Sequence, residues 1–502
     1  MKSVSLTSAI YLLPAFAVLA SAADSPVLPS VGKEVPVEIS SGTIIGAVTG
    51  VESFNGIPYA EPSVGEIRLR PPVRLASSLG VFNATGKAAA CPQMPQNTEE
   101  DQEFIFVSVN YRVGGFGFLG GAEILEEQST NLGLRDQRMG LEWVADNIAC
   151  FGGDPRKVTI WGHSAGSVSV FDQMALYNGN ATYNDSPLFR GAFLSSGSVL
   201  PTEHVDLVKA QIIFDKVVRE ANCTLSFPQL ECLRSLEYSH FYRAANAVPR
   251  PLDKTSLSYV PRPDGEVLMK SPDAIANEGS YYAVPTIITS QEDEGTSFSF
   301  TQFDLNNTES LVNYLCDTFF SKATRAQVAG LVDTYPIASS AGSPFRTSEE
   351  REWYEDQYQN GNGFKRVAAL LGDFIFTLIR RLALEGMATS HPTIPLWSSL
   401  GSAFYGRLGY YGTPHGTEPV LIYTGDKLYF TRNAVRTTRT YFLNFLHNLD
   451  PNQGVQGYFW PKWTPDERQL LWFNRHENNL TYDTFRDDSY QYLKSNAKEF
   501  CY

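Results

Sequence analysis

One short motif constrains the fold of this chain more than any other feature of its sequence. Residues 162–166, GHSAG, directly follow an apolar run at 158–161 and precede a stretch with helical character at 167–176. A strand, a tight turn centred on a serine and a helix together form a nucleophile elbow, which exposes the serine hydroxyl at the carboxyl end of the strand. The motif therefore predicts a sheet flanked by helices, with Ser164 as a candidate nucleophile.

The residues around Ser164 fit such a turn. Gly162 and Gly166 are expected to be glycines because larger side chains would collide in this strained bend. His163 is the immediate neighbour of Ser164, so its side chain should point away from the serine hydroxyl. An ordinary turn is the alternative interpretation, and the strand before and helix after the motif argue against it.

A serine hydroxyl is a weak nucleophile until a base removes its proton. The chain has seven histidines, and most of them lack a recognisable setting. His415 lies in a Gly- and Pro-rich loop at 411–418, YGTPHGTE, where the end of a strand could present an imidazole. An isolated loop histidine is more often a surface residue, so this pattern makes His415 only a candidate base.

Three acids follow a predicted apolar strand at 284–288. They are Glu292, Asp293 and Glu294. In this type of fold, the carboxylate that holds the catalytic imidazole follows the nucleophile and precedes the histidine. A solvated run of charges is the commoner explanation for such a cluster. The sequence alone does not choose among the three.

The wider pattern alternates strands with helical stretches, which predicts an α/β fold with a mostly parallel sheet. The chain has 502 residues and shows no linker or internal repeat after its N-terminus, so residues 23–502 are expected to form one domain. The predicted elements are a hairpin at 35–48, a buried strand at 104–109, a helix at 132–148 capped by Asn131, and strands at 158–161, 191–194 and 284–288.

The N-terminus is typical of an exported protein. Lys2, an apolar run at 9–20 and the small residues Ala20 and Ala22 predict a signal peptide over 1–22, too short to span a membrane. A buried N-terminal helix is the alternative. The net charge of −14 disfavours nucleic-acid binding. Candidate glycosylation acceptors are Asn83, Asn180, Asn184, Asn306 and Asn479, with Asn222 weaker because Cys223 lies inside its sequon.

An exported chain can hold disulfides, and this one has six cysteines. Cys223 and Cys232 are close enough in sequence to close a small loop. Spacing does not pair the others, which are Cys91, Cys150, Cys316 and Cys501.

Several further motifs occur in a characteristic order. With them, the chain resembles the type-B carboxylesterase/lipase family, which includes the cholinesterases, and especially the secreted fungal lipases of the Candida rugosa type. The motifs are FNGIPYAEP at 54–62, VNYR at 109–112, DQR at 136–138, WVADNI at 143–148, FGGDP at 151–155, the elbow, YVPRPDG at 259–265, DEGT at 293–296 and the loop of His415.

The resemblance implies an α/β-hydrolase fold and a secreted enzyme that cleaves carboxylic esters through an acyl-enzyme. Ser164 is then the nucleophile, His415 the base and Glu294 the acid of the family's D-E-G-[ST] motif, while the backbone N–H of Ala165 binds the oxyanion. The resemblance also implies a Cys223–Cys232 disulfide. The expected partner is a small-molecule or lipid ester, and neither a metal nor a cofactor is needed.

The chain departs from the family pattern after Cys91. Family members continue there with several tens of residues that include a Gly-rich oxyanion loop and the strand beside the elbow strand, whereas here only residues 94–103 precede the predicted strand at 104–109. Ala165 therefore remains as the oxyanion donor, Cys91 loses its usual partner, and one or more central strands should be missing. The region where lipases carry a lid is also shortened, which favours short or medium acyl esters.

Two explanations fit this departure. The chain is either a defective gene product that lacks a coding segment, which the intact Ser164, Glu294 and His415 favour, or a natural variant that has given up catalysis. The rival to an ester hydrolase is accordingly an esterase-like binding protein on the same scaffold. Acyl preference and oligomeric state are not readable from the sequence.

Overall fold

The computed structural model describes residues 33–48, 52–75, 79–85, 104–249, 257–302, 305, 307–347, 363–424, 431–454 and 457–502. The strands are β1 (Lys33–Ile39), β2 (Gly42–Val48), β3 (Glu52–Ser53), β4 (Gly80–Asn83), β5 (Thr159–His163), β6 (Thr182–Tyr183), β7 (Ser186–Pro187), β8 (Gly191–Ser195), β9 (Thr286–Gln291), β10 (Leu396–Ser402), β11 (Gln469–Asn474) and β12 (Asn479–Tyr482).

The helices flank these strands. They are α1 (Ala122–Glu126), α2 (Leu132–Asn147), α3 (Ala165–Gly179), α4 (Val208–Glu220), α5 (Gln229–Ser235), α6 (Tyr238–Ala245), α7 (Pro272–Glu278), α8 (Thr296–Ser299), α9 (Thr308–Thr318), α10 (Arg325–Asp333), α11 (Phe364–Gly372), α12 (Leu378–Ser390), α13 (Thr417–Thr424), α14 (Arg432–Asn448) and α15 (Asp487–Ser495). None of these described helices is long and apolar enough to cross a membrane.

The central sheet has six strands in the order β12-β11-β10-β9-β8-β5. All neighbours are parallel except β11 and β12. At the carboxyl ends, His163 pairs with Ser195, which pairs with Thr289. The loops that leave these strands therefore start side by side, at the carboxyl end of the sheet. The predicted α/β-hydrolase fold with a mostly parallel sheet is confirmed.

Both faces of the sheet are buried. The adjacent side chains Ile287 and Ile288 of β9 point to opposite faces, because successive residues of a strand alternate. Ile288 packs in the larger core with Phe171 of α3 and Phe374. Ile287 packs in a second core with Phe445 of α14. This two-sided burial explains why β8 and β9 are buried along their whole length.

Most of the predicted elements are present. The hairpin is formed by β1 and β2, which are antiparallel and turn between Ile39 and Gly42. The helix predicted at 132–148 is α2, and Asn131 is its N-cap residue, but the Asn131 side chain makes no capping hydrogen bond. This side chain instead accepts from the Arg262 N–H and donates to the Arg262 carbonyl and the Asp264 carboxylate.

The strand predicted at 104–109 is wrong. These residues form no regular structure, and Phe104, Ile105, Phe106 and Val107 have relative exposures of 37–43%. Within the described part of the chain, the strand hydrogen bonded to β5 is β8, so β5 lies at the sheet edge. Among the described residues, no strand pairs with the other side of β5, so the apolar run has no ladder to join there.

A helical excursion between β8 and β9 has its own small core. It contains α4, α5 and α6, whose buried faces pack together around Phe214, Leu233 and Phe241. The predicted disulfide Cys223–Cys232 is present and closes the loop between α4 and α5. Three other cysteines carry free thiols, at Cys150, Cys316 and Cys501. The predicted signal peptide at 1–22, Cys91 and Asn306 lie outside the described residues.

Candidate active site

Ser164 occupies the turn between β5 and α3. Its backbone has φ 59° and ψ −123°, a conformation that is costly for any residue except glycine. The turn is fixed on both sides: the Ser164 N–H donates to the carbonyl of Ser195 at 2.9 Å, and the Ser164 carbonyl accepts from the Ser167 N–H at 2.9 Å. The strained bend therefore sits at the edge where the strands end, as the elbow motif predicts.

The two glycines of the elbow have different reasons to be glycine. A Cβ on Gly162 would lie 2.0 Å from the carbonyl oxygen of Gly166, so no other residue fits there. At Gly166, a Cβ would meet no atom within 4 Å outside the helix backbone and its chain neighbours. The expected collision thus exists at Gly162 and not at Gly166. Gly166 contributes the carbonyl oxygen that a Cβ at position 162 would meet.

His415 and Glu294 form a buried pair. Nδ1 of His415 lies 2.6 Å from Oε2 of Glu294, whose other oxygen accepts from the Gln291 N–H at 2.6 Å. The carboxylate therefore holds the Nδ1–H tautomer and leaves the Nε2 lone pair free. Nε2 is buried and has no hydrogen-bond partner among the described residues. An acceptor in this state is suited to take a proton from a nearby hydroxyl.

Aromatic rings hold the imidazole of His415 in place. The ring of Phe376 lies 4.5 Å from it and that of Phe298 lies 5.2 Å away, centroid to centroid. The His163 ring lies 4.6 Å from it. Because His163 precedes Ser164 directly, this contact brings the end of β5 and the loop of His415 together.

The three acids after β9 have separate partners. Glu292 pairs with the guanidinium of Arg346. Asp293 accepts from the Thr413 N–H and, on its other oxygen, from the Phe345 N–H, each at 2.8 Å. Burial and the charge of Glu292 raise the pKa of Asp293 to about 7. Asp293 thus anchors the loop that carries His415, and Glu294 is the acid that contacts the imidazole.

Close backbone contacts fix these positions. A Cβ on Gly295 would lie 1.9 Å from the carbonyl oxygen of Ala368 in α11. Gly412 has φ 62°, and a Cβ there would lie 2.1 Å from a carboxylate oxygen of Asp293. Glycine at 295 and 412 is therefore required for the DEGT segment and the loop of His415 to approach their neighbours.

Glu418 is a site residue to which the sequence analysis gave no role. Its carboxylate accepts from the hydroxyl of Ser195 and from that of Thr289 at 2.8 Å. Burial raises the pKa of Glu418 to about 7. These bonds tie the segment after His415 to the ends of β8 and β9. The only sequence signal was an acid three residues after the candidate base.

His163 is a second residue to which the sequence analysis gave no role in the site. It is buried, and its Nε2 has no hydrogen-bond partner among the described residues. Burial, with a smaller contribution from His415, lowers the pKa of His163 well below its usual value. It therefore stays neutral beside His415.

The candidate oxyanion donor is in a suitable position. Ala165 is the first residue of α3, so its backbone N–H has no acceptor within the helix and lies at the positive end of the helix dipole. Ala165 is exposed and Ser164 is partly exposed, so a substrate can reach both.

Other predicted sites lie apart from this cluster. Asn83, Asn180, Asn184 and Asn479 are all exposed, as acceptors for glycans must be. In the part of the chain that the structure describes, no group of three or more His, Cys, Asp or Glu side chains could hold a metal ion.

The sheet order, the elbow and the loops above it define the class of protein as an α/β hydrolase. The crystal structure of EstA from Aspergillus niger has the same fold, with a TM-score of 0.76 over 93% of this chain and 99% of that chain at 21% sequence identity.

A model of the carboxylesterase family matches residues 33–104 and 100–493. The chain therefore belongs to the carboxylesterase family, which supports a carboxylic-ester hydrolase. A secreted triacylglycerol lipase of Gibberella zeae is 44% identical over 94% of this chain and 92% of its own length. A secreted lipase of Botryotinia fuckeliana is 40% identical over 97% and 99%, and Lipase 2 of Diutina rugosa is 32% identical over 92% and 96%.

The comparisons also locate the departure from the family. The two family matches meet at residues 100–104, in the stretch where the sequence predicts a missing segment. The alignment with the Gibberella zeae lipase spans 553 positions, more than the 502 residues of this chain. The relative thus contains residues that have no counterpart here.

Proposed function

We propose that this protein is a secreted serine hydrolase that cleaves carboxylic esters, acylglycerols among them, through an acyl-enzyme on Ser164. The observation that carries the proposal is the His415–Glu294 pair. It leaves a buried Nε2 acceptor without a partner among the described residues, at the sheet edge where Ser164 sits in a strained turn. The leader at 1–22 and the secreted relatives support export.

The reaction follows from the three side chains. Ser164 Oγ attacks the ester carbonyl carbon while Nε2 of His415 takes its proton, and Glu294 stabilises the imidazolium that forms. The tetrahedral intermediate collapses when His415 returns this proton to the leaving alcohol. A water molecule, deprotonated by His415, then attacks the acyl-enzyme and releases the carboxylic acid and Ser164.

The oxyanion is the demanding part of this reaction. The Ala165 N–H supplies one donor, and removing a single donor from such a site typically lowers kcat by about 10²–10³. With the family's Gly-rich loop absent from the sequence between Cys91 and Phe104, we expect slower turnover than in a complete family member.

Two measurements test the proposal. A fluorophosphonate, which bonds covalently to activated serines, should label the protein, and p-nitrophenyl butyrate should be hydrolysed. Ser164→Ala, which removes only the hydroxyl, should lose both signals, whereas Ser167→Ala should keep them. Equal hydrolysis by the parent and by Ser164→Ala would refute the proposal.

The second candidate is an esterase-like binding protein that has given up catalysis. The position of β5 as an edge strand among the described residues and the single predicted oxyanion donor favour it. The two measurements separate the candidates: a folded protein with neither labelling nor hydrolysis supports the binding protein, and labelling without turnover locates the defect in the oxyanion donors. Sequencing the mature transcript tests whether a coding segment is missing.

A further inference from the structure

The loop between α4 and α5 carries two unusually exposed apolar side chains. Leu225 and Phe227 have relative exposures of 101% and 98%, the highest of the large hydrophobic residues in the described part of the chain. Both lie inside the ring closed by the Cys223–Cys232 disulfide. Single exposed apolar residues need no explanation, but two fully exposed large ones at one loop tip indicate a contact surface.

The base of this loop is firmly held. Cys223 is fully buried, and its N–H donates to the carbonyl of Val218 at 2.9 Å. On the other side, Leu230 and Leu233 pack in the core of the helical excursion. The disulfide joins the two ends, so the tip is displayed by a preformed scaffold. Little conformational entropy is then lost when the tip meets its partner.

The charges around the loop select the kind of partner. From Cys223 to Cys232, Glu231 is the one charged residue, and it is paired with Arg234 at 2.8 Å and Arg70 at 3.3 Å. The tip itself thus offers no charge to a partner. With a net charge of −14, the whole protein is repelled by anionic surfaces. An uncharged apolar phase complements both features.

The shape of the loop tip supports the same kind of partner. Leu225 and Phe227 project outwards instead of lining a groove, and stable protein interfaces need far more area than two side chains provide. Exposed Leu and aromatic side chains are the residues that enter the boundary between lipid headgroups and acyl chains.

We propose that the Leu225–Phe227 loop is a hydrophobic anchor by which the protein adsorbs to uncharged lipid–water interfaces. The anchor goes beyond the proposed hydrolysis, because adsorption needs no catalytic group. It would hold the protein at the surface where insoluble esters are found, with Leu225 and Phe227 in the acyl phase and the helical excursion above it.

The test measures adsorption with Ser164→Ala protein, so that no lipid is cleaved. Binding to vesicles of a zwitterionic phosphatidylcholine and to a triolein emulsion is measured by flotation. Replacing both tip residues, Leu225→Ser and Phe227→Ser, should weaken binding at least about 100-fold, since burial of each side chain contributes roughly tenfold or more. Val81→Ser with Ile337→Ser, which changes two exposed apolar residues elsewhere, should change binding less than about twofold.

Four results would overturn the anchor. They are no adsorption of the parent, equal adsorption of the parent and the tip variant, equal losses in the tip and control variants, or adsorption that requires anionic lipid. Circular dichroism checks that the tip variant is folded, which is expected because both side chains are outside the core. Fluorophosphonate labelling of Ser164 in the otherwise unmodified protein reports on the proposed hydrolysis separately, so either proposal can fail alone.

Discussion

The acids that follow β9 allow a sharp test of the site, because Glu294 and Asp293 have different partners. We expect Glu294→Gln to abolish hydrolysis with little effect on stability. The glutamine oxygen can still accept from the Gln291 N–H, but its amide group then faces Nδ1 of His415 and favours the tautomer with the proton on Nε2. In serine hydrolases this change of tautomer lowers kcat by about 10⁴.

Asp293→Ala should act on stability first. The substitution leaves the Thr413 and Phe345 N–H groups without their acceptor. A buried donor without a partner costs about 1–3 kcal/mol, so the two together give about 2–6 kcal/mol. Relief from burying the carboxyl group offsets part of this, which favours the lower half of the range. The loosened loop should also displace His415, and a shift of about 1 Å can cost roughly 100-fold in rate.

Urea unfolding followed by tryptophan fluorescence gives the stability, and p-nitrophenyl butyrate gives kcat/KM. Glu292→Gln is the control, because its side chain contacts Arg346 instead of the loop of His415, and the amide oxygen can still accept from that guanidinium. The reasoning is refuted if Glu294→Gln keeps more than about a tenth of the parent activity. It is equally refuted if Asp293→Ala unfolds at the parent's urea midpoint.

Three further predictions use the same measurements. Gly162→Ala should lower fluorophosphonate labelling at least about tenfold, because its Cβ would meet the carbonyl 2.0 Å away, whereas Gly166→Ala should be tolerated; equal labelling of both would contradict this account. Burial raises the pKa of Asp172, whose carboxylate oxygens have no partner among the described residues, so the folded state keeps a proton that the unfolded chain releases above about pH 4. The contribution of Asp172 to stability should therefore fall as pH rises from about 4, and urea midpoints measured across pH should fall less in Asp172→Asn than in the parent. The shortened lid region predicts faster hydrolysis of butyrate than of oleate esters, and preference for emulsified long-chain ester would reverse that expectation.

Local sequence determines some features of the site and not others. The elbow was predictable because the strand, the turn at Ser164 and the helix are contiguous, and because Gly162 is required by atoms only four residues away. The choice among the three acids was not derivable from local patterns. It depends on a contact between Glu294 and His415, which are 121 positions apart. The family resemblance predicted this pair, and the structure has it.

The wrong strand at 104–109 shows a second limit of sequence reasoning. Its β-branched and aromatic composition is typical of a buried strand, yet a strand forms only beside a partner with free backbone groups. The roles of Glu418 and His163 were not predicted for a similar reason. Their environment is created by Ser195, Thr289 and His415, which come from other parts of the chain.

Among the described residues, β5 is an edge strand of the central sheet, and this has a consequence for handling the protein. The outward-facing amide and carbonyl groups of an edge strand can pair with an extended segment of another molecule. The apolar run that begins at Phe104 is near β5, since the Phe106 ring centroid lies 6.3 Å from that of Trp161 in β5. Concentrated preparations should therefore assemble by intermolecular strand addition, and the added segment would pair with β5, the strand that leads into Ser164.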